Sequence, residues 1–192
     1  DPELFRKYCQ QWFKDFDVDY ICTDIYPLNG KTGVENRATW NTYKDYCESI
    51  NQIATVARNH DAEFWCCIQT WGWTNGKRTP TEGEYRWQCY TMLSYGCTGI
   101  LLWSLTSSNN DDFPSIFNPE TKTVTQPVYD DCSAAMWEMR DLSDTFVQYK
   151  NLGAFTVNCS AATPWLRMTG EYKDFNAITD ITADQPLLVG CF

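Results

Sequence analysis

The run AEFWCCIQTW, residues 62–71, decides the fold class of this chain. It is almost continuously apolar and rich in aromatic side chains, a pattern typical of a strand that is buried on both faces. Two similar runs flank it in the sequence, DVDYICTDIYPL at 17–28 and TGILLWSL at 98–105. Strands that are apolar on both faces belong to parallel sheets covered by helices, so we predict an α/β fold.

Segments with helical spacing precede, separate and follow these three runs. They cover 3–16, 38–59, 81–95 and 127–149. Thr81 and Glu84 form a capping-box pattern at the start of the third helix, and Gly96 is placed to end it. We expect Glu84 to pair with Arg86 as well. The order α-β-α-β-α-β-α is compatible with a doubly wound sheet or with a (β/α)8 barrel. No glycine-rich phosphate loop follows a strand, which disfavours a nucleotide-binding version of the former.

The texture of the sequence changes after about residue 152. Helical spacing disappears, and short β-like stretches follow at 155–159, 165–172, 176–181 and 187–192. We therefore predict two domains, an α/β domain over 1–150, which the resemblance given below makes a partial barrel, and the start of a small β domain over 151–192.

Charge and hydropathy narrow the classes of partner. The 192 residues include 15 Lys and Arg against 25 Asp and Glu, a net charge of −10 at pH 7. Nucleic acids and anionic membrane surfaces attract the opposite charge. No apolar run reaches the length of about 18 residues that spans a bilayer. We therefore expect neither a nucleic-acid nor a membrane partner.

The ten cysteines include no C-x-x-C pair, and His60 is the only histidine. Zinc sites need Cys and His at short spacing, so we predict no metal site and no cofactor. Most of the cysteines fall in apolar runs, where a reduced thiol acts as a small hydrophobe. This usage suits a reducing cytosol or an anaerobic habitat.

Polar and aromatic residues cluster where the predicted strands end. In parallel α/β architectures functional groups gather at the carboxyl ends of strands. Cys22, Asp24 and Tyr26 alternate onto one face of the first strand, while Ile21 and Ile25 face the helices. Asp24 and Tyr26 are candidates for catalysis or ligand binding, although Asp24 could instead tie down a loop.

The second strand ends in a polar residue and a tryptophan loop. Gln69 is polar in an apolar strand, and a buried amide must find hydrogen-bond partners. Trp71 and Trp73 follow it, and Trp103 ends the third strand. These tryptophans are candidate platforms for stacking on sugar rings, with loop or core packing as the alternative.

Two stretches resemble the last strands of clan A glycoside hydrolases, (β/α)8 barrels in the neighbourhood of the family 42 β-galactosidases. They are VDYICTDIYPL and the segment from FWCCIQTWGW through KRTPTEGEYRWQCYTMLSYGCTGILLWSL. The shared pattern is an Arg/Pro loop, an E-x-R-x-Q-x-Y helix, L-x-Y-G-x-x-G-I and a strand ending in Trp. The tail PLLVG, 186–190, resembles the start of the β-sandwich that often follows such barrels.

The resemblance implies that the three strands are the sixth, seventh and eighth of a barrel whose remainder is absent from this chain. It also implies a carbohydrate substrate and a secreted or cell-envelope location. Gln69 occupies the position of the clan's nucleophilic Glu, and Tyr26 that of the tyrosine that orients it. Gln69 is explained by an engineered change from Glu, by use of another carboxylate with Asp24 the nearest, or by a barrel that binds glycans without cleaving them.

The expected function is hydrolysis of O-glycosidic bonds in an oligo- or polysaccharide by carboxylate acid/base chemistry. Asp24 and Gln69 are the candidate catalytic residues, and the candidate substrate-binding residues are Tyr26, Trp71, Trp73 and Trp103. One alternative is a catalytically inactive carbohydrate-binding barrel. Another is a structural module of a larger assembly, which predicts that Trp71 and Trp73 are buried and that no open pocket exists.

Overall fold

A computed structural model describes residues 2–28, 40–72, 77–106, 114–158 and 180–192. Its helices are α1 (Pro2–Asp15), α2 (Trp40–Asn59), α3 (Glu82–Ser94) and α4 (Val128–Phe146). Its strands are β1 (Tyr20–Asp24), β2 (Glu63–Gln69), β3 (Cys97–Trp103), β4 (Phe117–Asn118), β5 (Thr123–Val124), β6 (Gly153–Val157) and β7 (Leu187–Cys191). The predicted order of helices and strands through α4 is confirmed. The β4–β5 hairpin was not predicted, because two-residue strands are too short to carry a periodic signal.

The first three strands form a parallel sheet in the order β1-β2-β3. Asp24 lies opposite Cys67, and Gln69 lies opposite Trp103. All three strands therefore end on the same side of the sheet, and Asp24, Gln69 and Trp103 lie at this carboxyl end. The described part of the sheet is open, with β1 and β3 as its two edge strands.

One face of this sheet packs against helices and the other does not. Phe64, Cys66 and Ile68 of β2 are buried in a single core with α2 and α3. Ile21 and Ile25 pack on the same core, which confirms the predicted helix-facing side of the first strand. On the opposite face the following side chains are solvent-exposed: Tyr20, Cys22, Asp24, Leu101 and Trp103. Among the described residues no helix covers that second face.

The cysteines are mostly core residues, as their apolar surroundings predict. Seven of the nine described cysteines are buried, and Cys22 is the exposed one. Burial raises the pKa of the Cys47 thiol to about 12 and that of Cys97, likewise, to about 12. These thiols are thus neutral side chains that fill space between the helices and the sheet.

The predicted boundaries of α3 are confirmed by its capping contacts. The Glu84 carboxylate accepts the backbone N–H of Thr81 at 2.9 Å. Gly96 has a φ of +84°, a conformation that favours glycine at the end of a helix. The expected Glu84–Arg86 pair is wrong: residues two apart lie on different helix faces, and Arg86 pairs with Glu82 one turn earlier and with Glu138 of α4.

Beyond residue 150 the described chain forms an antiparallel pair of strands, β6 and β7, which packs on the end of α3. The Asn151 side-chain amide donates to the backbone carbonyls of Ser94 and Cys191, at 3.1 and 3.2 Å. Ala154 belongs to the same buried core as α2 and α3. The β6–β7 pair therefore shares the core that α2, α3 and the parallel sheet form. The predicted stretch 165–172 and most of 176–181 lie outside the described residues.

Candidate functional site

Asp24 and Tyr26 lie together where β1 ends. Asp24 is exposed and is the last residue of the strand, and Tyr26 is half-buried just beyond it. Burial raises the pKa of the Tyr26 hydroxyl well above its ordinary value, and the neighbouring charge of Asp24 raises it further. The Tyr26 hydroxyl therefore stays protonated at neutral pH beside the Asp24 carboxylate.

Gln69 is completely buried, and its side-chain amide joins three segments of backbone. Its Oε1 accepts the N–H of Leu28 at 2.9 Å. Its Nε2 donates to the carbonyl oxygens of Leu28, Trp71 and Arg78 at 3.1, 3.3 and 2.7 Å. Both amide hydrogens are therefore occupied by backbone acceptors.

Because both amide hydrogens are engaged by backbone carbonyls, Gln69 joins the loops after β1 and β2. Its expected role at the reacting sugar stays a prediction. A glutamate here would set carboxylate oxygens against three carbonyl oxygens. The position is built for an amide, which argues against an engineered change from Glu.

α3 holds the end of β2 from the other side. The side chain of Gln88 is buried; its Oε1 accepts the backbone N–H of Gln69 at 2.9 Å, and its Nε2 donates to the Gln69 carbonyl at 3.1 Å. The Tyr85 hydroxyl donates to the Thr70 carbonyl at 2.6 Å. Sequence reasoning missed both residues, and their signal was the polar Gln88 on the apolar face of a helix.

The structure separates the predicted tryptophans. Trp103 is 51% exposed on the uncovered face of the sheet, whereas Trp71 is only 8% exposed. Trp103 presents an accessible ring at the carboxyl ends of the strands, while Trp71 packs inside the loop that Gln69 holds. The burial of Trp71 matches what the structural-module alternative predicts. Trp73 lies outside the described residues.

Two basic residues follow Trp73 in the loop, and sequence reasoning gave Lys77 no role. Lys77 donates its ammonium group to the Tyr26 backbone carbonyl. Arg78 forms a two-pronged ion pair with Glu84, one contact of which is 2.6 Å. The sequence signal was the K-R-T-P segment, since a short polar loop after a buried strand falls at the same edge as the strand ends.

The remaining predictions concern metals and weaker candidates. Within the five described ranges no three His, Cys, Asp or Glu side chains are grouped to hold a metal ion. No helix in those ranges is long and apolar enough to cross a membrane. His60, the only histidine of the sequence, stacks on Phe13 at 4.6 Å between ring centroids.

The described site therefore has an exposed carboxylate, a neighbouring protonated tyrosine, an ammonium group and an accessible indole ring, all at the carboxyl end of a parallel sheet. A carboxylate can stabilise positive charge or accept a proton, and an indole can stack on the apolar face of a sugar. Comparison of the chain with protein-family models, with curated proteins and with solved structures finds no match.

Proposed function

We propose that this chain forms the carboxyl-terminal strands of a glycoside hydrolase-like (β/α)8 barrel. The three parallel strands follow one another in sequence order, and α2 and α3 pack on the same face of the sheet. A doubly wound sheet carries helices on both faces, whereas a barrel carries them only outside. The uncovered face with Cys22, Asp24 and Trp103 corresponds to the barrel interior and mouth.

The open edge of β3 supports a partner that adds further strands. Parallel sheets occur almost only with both faces covered, and among the described residues no element covers one face or pairs with the outer sides of β1 and β3. A cavity of about 360 Å³ lies beside β3 and α4. Its apolar lining includes Leu102, Leu105, Phe117, Tyr129, Met136 and Trp137. The remaining strands and helices of the barrel would cover these surfaces.

The proposed reaction is hydrolysis of an O-glycosidic bond in an oligo- or polysaccharide. Its main support is that β1 and β3 bring Asp24, Tyr26 and Trp103 to one end of the sheet. Trp103 stacks on the sugar, Tyr26 orients Asp24, and the Asp24 carboxylate stabilises or traps the oxocarbenium-like centre. The second carboxyl group that this chemistry needs is assigned to the strands that complete the barrel.

Glycan binding without cleavage is the second candidate function. The observation that favours it is the engagement of Gln69 with three backbone carbonyls at the place where the family carries its nucleophile. Such a barrel keeps the exposed Trp103 and binds the same sugars without turnover.

The test is an assay of the full-length protein on a panel of oligo- and polysaccharides, beside Asp24→Asn and the control Asp141→Asn. Asp141 is exposed on α4, away from the strand ends. Turnover that falls at least a hundredfold in Asp24→Asn alone supports hydrolysis. Binding without turnover by the unaltered protein selects the second candidate, and the absence of both binding and turnover overturns the proposal.

A further inference from the structure

We propose that the mouth of this site selects acidic glycans, and that Lys77 binds their anionic substituent, a carboxylate or a sulfate. The inference rests on the proposed function, because it names the class of glycan that the same site takes. Three observations support it. Lys77 is held at the carboxyl end of β1, no described carboxylate pairs with its ammonium group, and Trp103 lies at the same end of the sheet.

The backbone around Lys77 is fixed at the carboxyl end of β1. The N–H of Arg78 donates to the Leu28 carbonyl at 3.2 Å, and the Arg78 carbonyl accepts from Gln69 at 2.7 Å. The Lys77 ammonium group itself donates to the Tyr26 carbonyl, two residues beyond Asp24. The ammonium group is therefore held at the mouth of the site by its own bond to Tyr26, and the backbone of the next residue is held by two further bonds.

The charge of Lys77 is not neutralised by the described part of the chain. Neighbouring Arg78 is paired with Glu84, and the other described ion pairs lie on helix surfaces or join Lys150 to Asp61. Among the described residues no carboxylate pairs with Lys77. Its side chain is half-buried, and burial lowers its pKa, as expected of a cation that has lost water without gaining a counter-charge.

Although the chain carries a net charge of −10, an ammonium group in this position favours an anionic ligand, because salt screens exposed charges that lie more than about 10 Å apart. Lys is a compact point charge with three donors, of which the Tyr26 carbonyl takes one. A ligand carboxylate or sulfate supplies the counter-charge that the half-buried ammonium group lacks among the described residues, whereas a sugar hydroxyl supplies only a hydrogen bond. Trp103 at the same sheet edge provides a surface for the sugar ring.

The test compares matched ligands on the full-length protein by titration calorimetry. One pair is an oligogalacturonate and the neutral galacto-oligosaccharide of the same length; the other is a sulfated carrageenan oligosaccharide and its desulfated form. We expect the acidic member of at least one pair to bind about tenfold more tightly, a difference that shrinks as salt is added. Preference for the first pair identifies a carboxylate, and preference for the second a sulfate.

Lys77→Met is expected to reduce the acidic-to-neutral ratio of affinities about tenfold, and Lys77→Arg to retain most of it. Lys14→Met at the exposed end of α1 makes the same change in net charge and should retain the full ratio. Thermal unfolding of each variant checks that it is folded. Equal binding of acidic and neutral members overturns this inference while the proposed function stands, and binding of no member of either pair, with none in the panel, overturns both.

Discussion

Gln69 shows at the scale of a single residue what sequence reasoning reaches and where it ends. A polar residue in a buried strand must be hydrogen-bonded, and that much follows from the pattern alone. Its partners are backbone groups of Leu28, 41 residues away, and of Arg78 in the following loop. Loop carbonyls carry no side-chain signature, so neither partner can be read from the sequence.

We predict that Gln69→Leu lowers the free energy of unfolding by about 3 to 5 kcal/mol, because it leaves one N–H and up to three carbonyls without a partner. Urea unfolding at pH 7 measures this loss.

We also predict that Gln69→Glu lowers the free energy of unfolding less at pH 4 than at pH 8. Burial among carbonyls raises the pKa of that carboxyl above its unfolded value, so stability is lost as the pH rises through the folded value. Urea unfolding at both pH values measures this, with the exposed Gln148→Glu as the control. Equal loss at pH 4 and pH 8 would contradict the assignment.

At the scale of the elements, the bounds of α3 were predictable because residues close in sequence determine where this helix begins and ends. Thr81, Glu84 and Gly96 act within one turn of their own positions. The partners of Arg86 were not predictable in full, since Glu138 comes from α4, 52 residues later. The β4–β5 hairpin was missed for the related reason that its pairing, and not its composition, defines it.

We predict that Glu84→Gln destabilises the protein by about 1 to 2 kcal/mol at pH 7, by weakening both the cap and the bond to Arg78. Burial alone would raise the pKa of Glu84, but the hydrogen bonds from Arg78 and Thr81 outweigh it and hold the pKa below its ordinary value of 4.5. The stabilisation is therefore complete above that value and is lost as the pH falls through the folded one.

Urea unfolding at pH 7 and pH 3 checks this prediction, and the gap between Glu84→Gln and the unaltered protein should narrow at pH 3. Glu82→Gln, which alters a more exposed pair in the same helix, should change stability by less than about 0.5 kcal/mol. A gap as wide at pH 3 as at pH 7 would show that the ionised carboxylate is not what stabilises α3.

At the scale of the whole molecule, the sequence predicted that helices give way to short strands after about residue 152, but it did not predict what those strands pack against. Gly190 of β7 lies so close to α3 that a Cβ would sit 2.5 Å from the Ser94 carbonyl oxygen. Asn151 joins the same elements. Contacts between such distant parts of the chain depend on the completed fold, and composition does not record them.

We predict that Gly190→Val displaces the β6–β7 pair from α3 and lowers the free energy of unfolding by about 1 to 3 kcal/mol. The matched control is Gly83→Ala, because nothing lies within 4 Å of a Cβ added there and alanine favours the helix. Calorimetry should show a lower Tm for Gly190→Val and an unchanged or higher Tm for Gly83→Ala. An unchanged Tm for Gly190→Val would contradict the prediction, because it would mean that the β6–β7 pair does not stabilise the rest of the molecule.

The free side of β3 has a practical consequence for this molecule in solution. Within the described residues β3 pairs with a strand on one side only, and its Leu101 and Trp103 are 40% and 51% exposed. Such an edge recruits strands from neighbouring copies and leads to self-association. Protein concentration therefore becomes an experimental variable, and a lysine in place of Leu101 would discourage stacking into oligomers while leaving the packed interior intact.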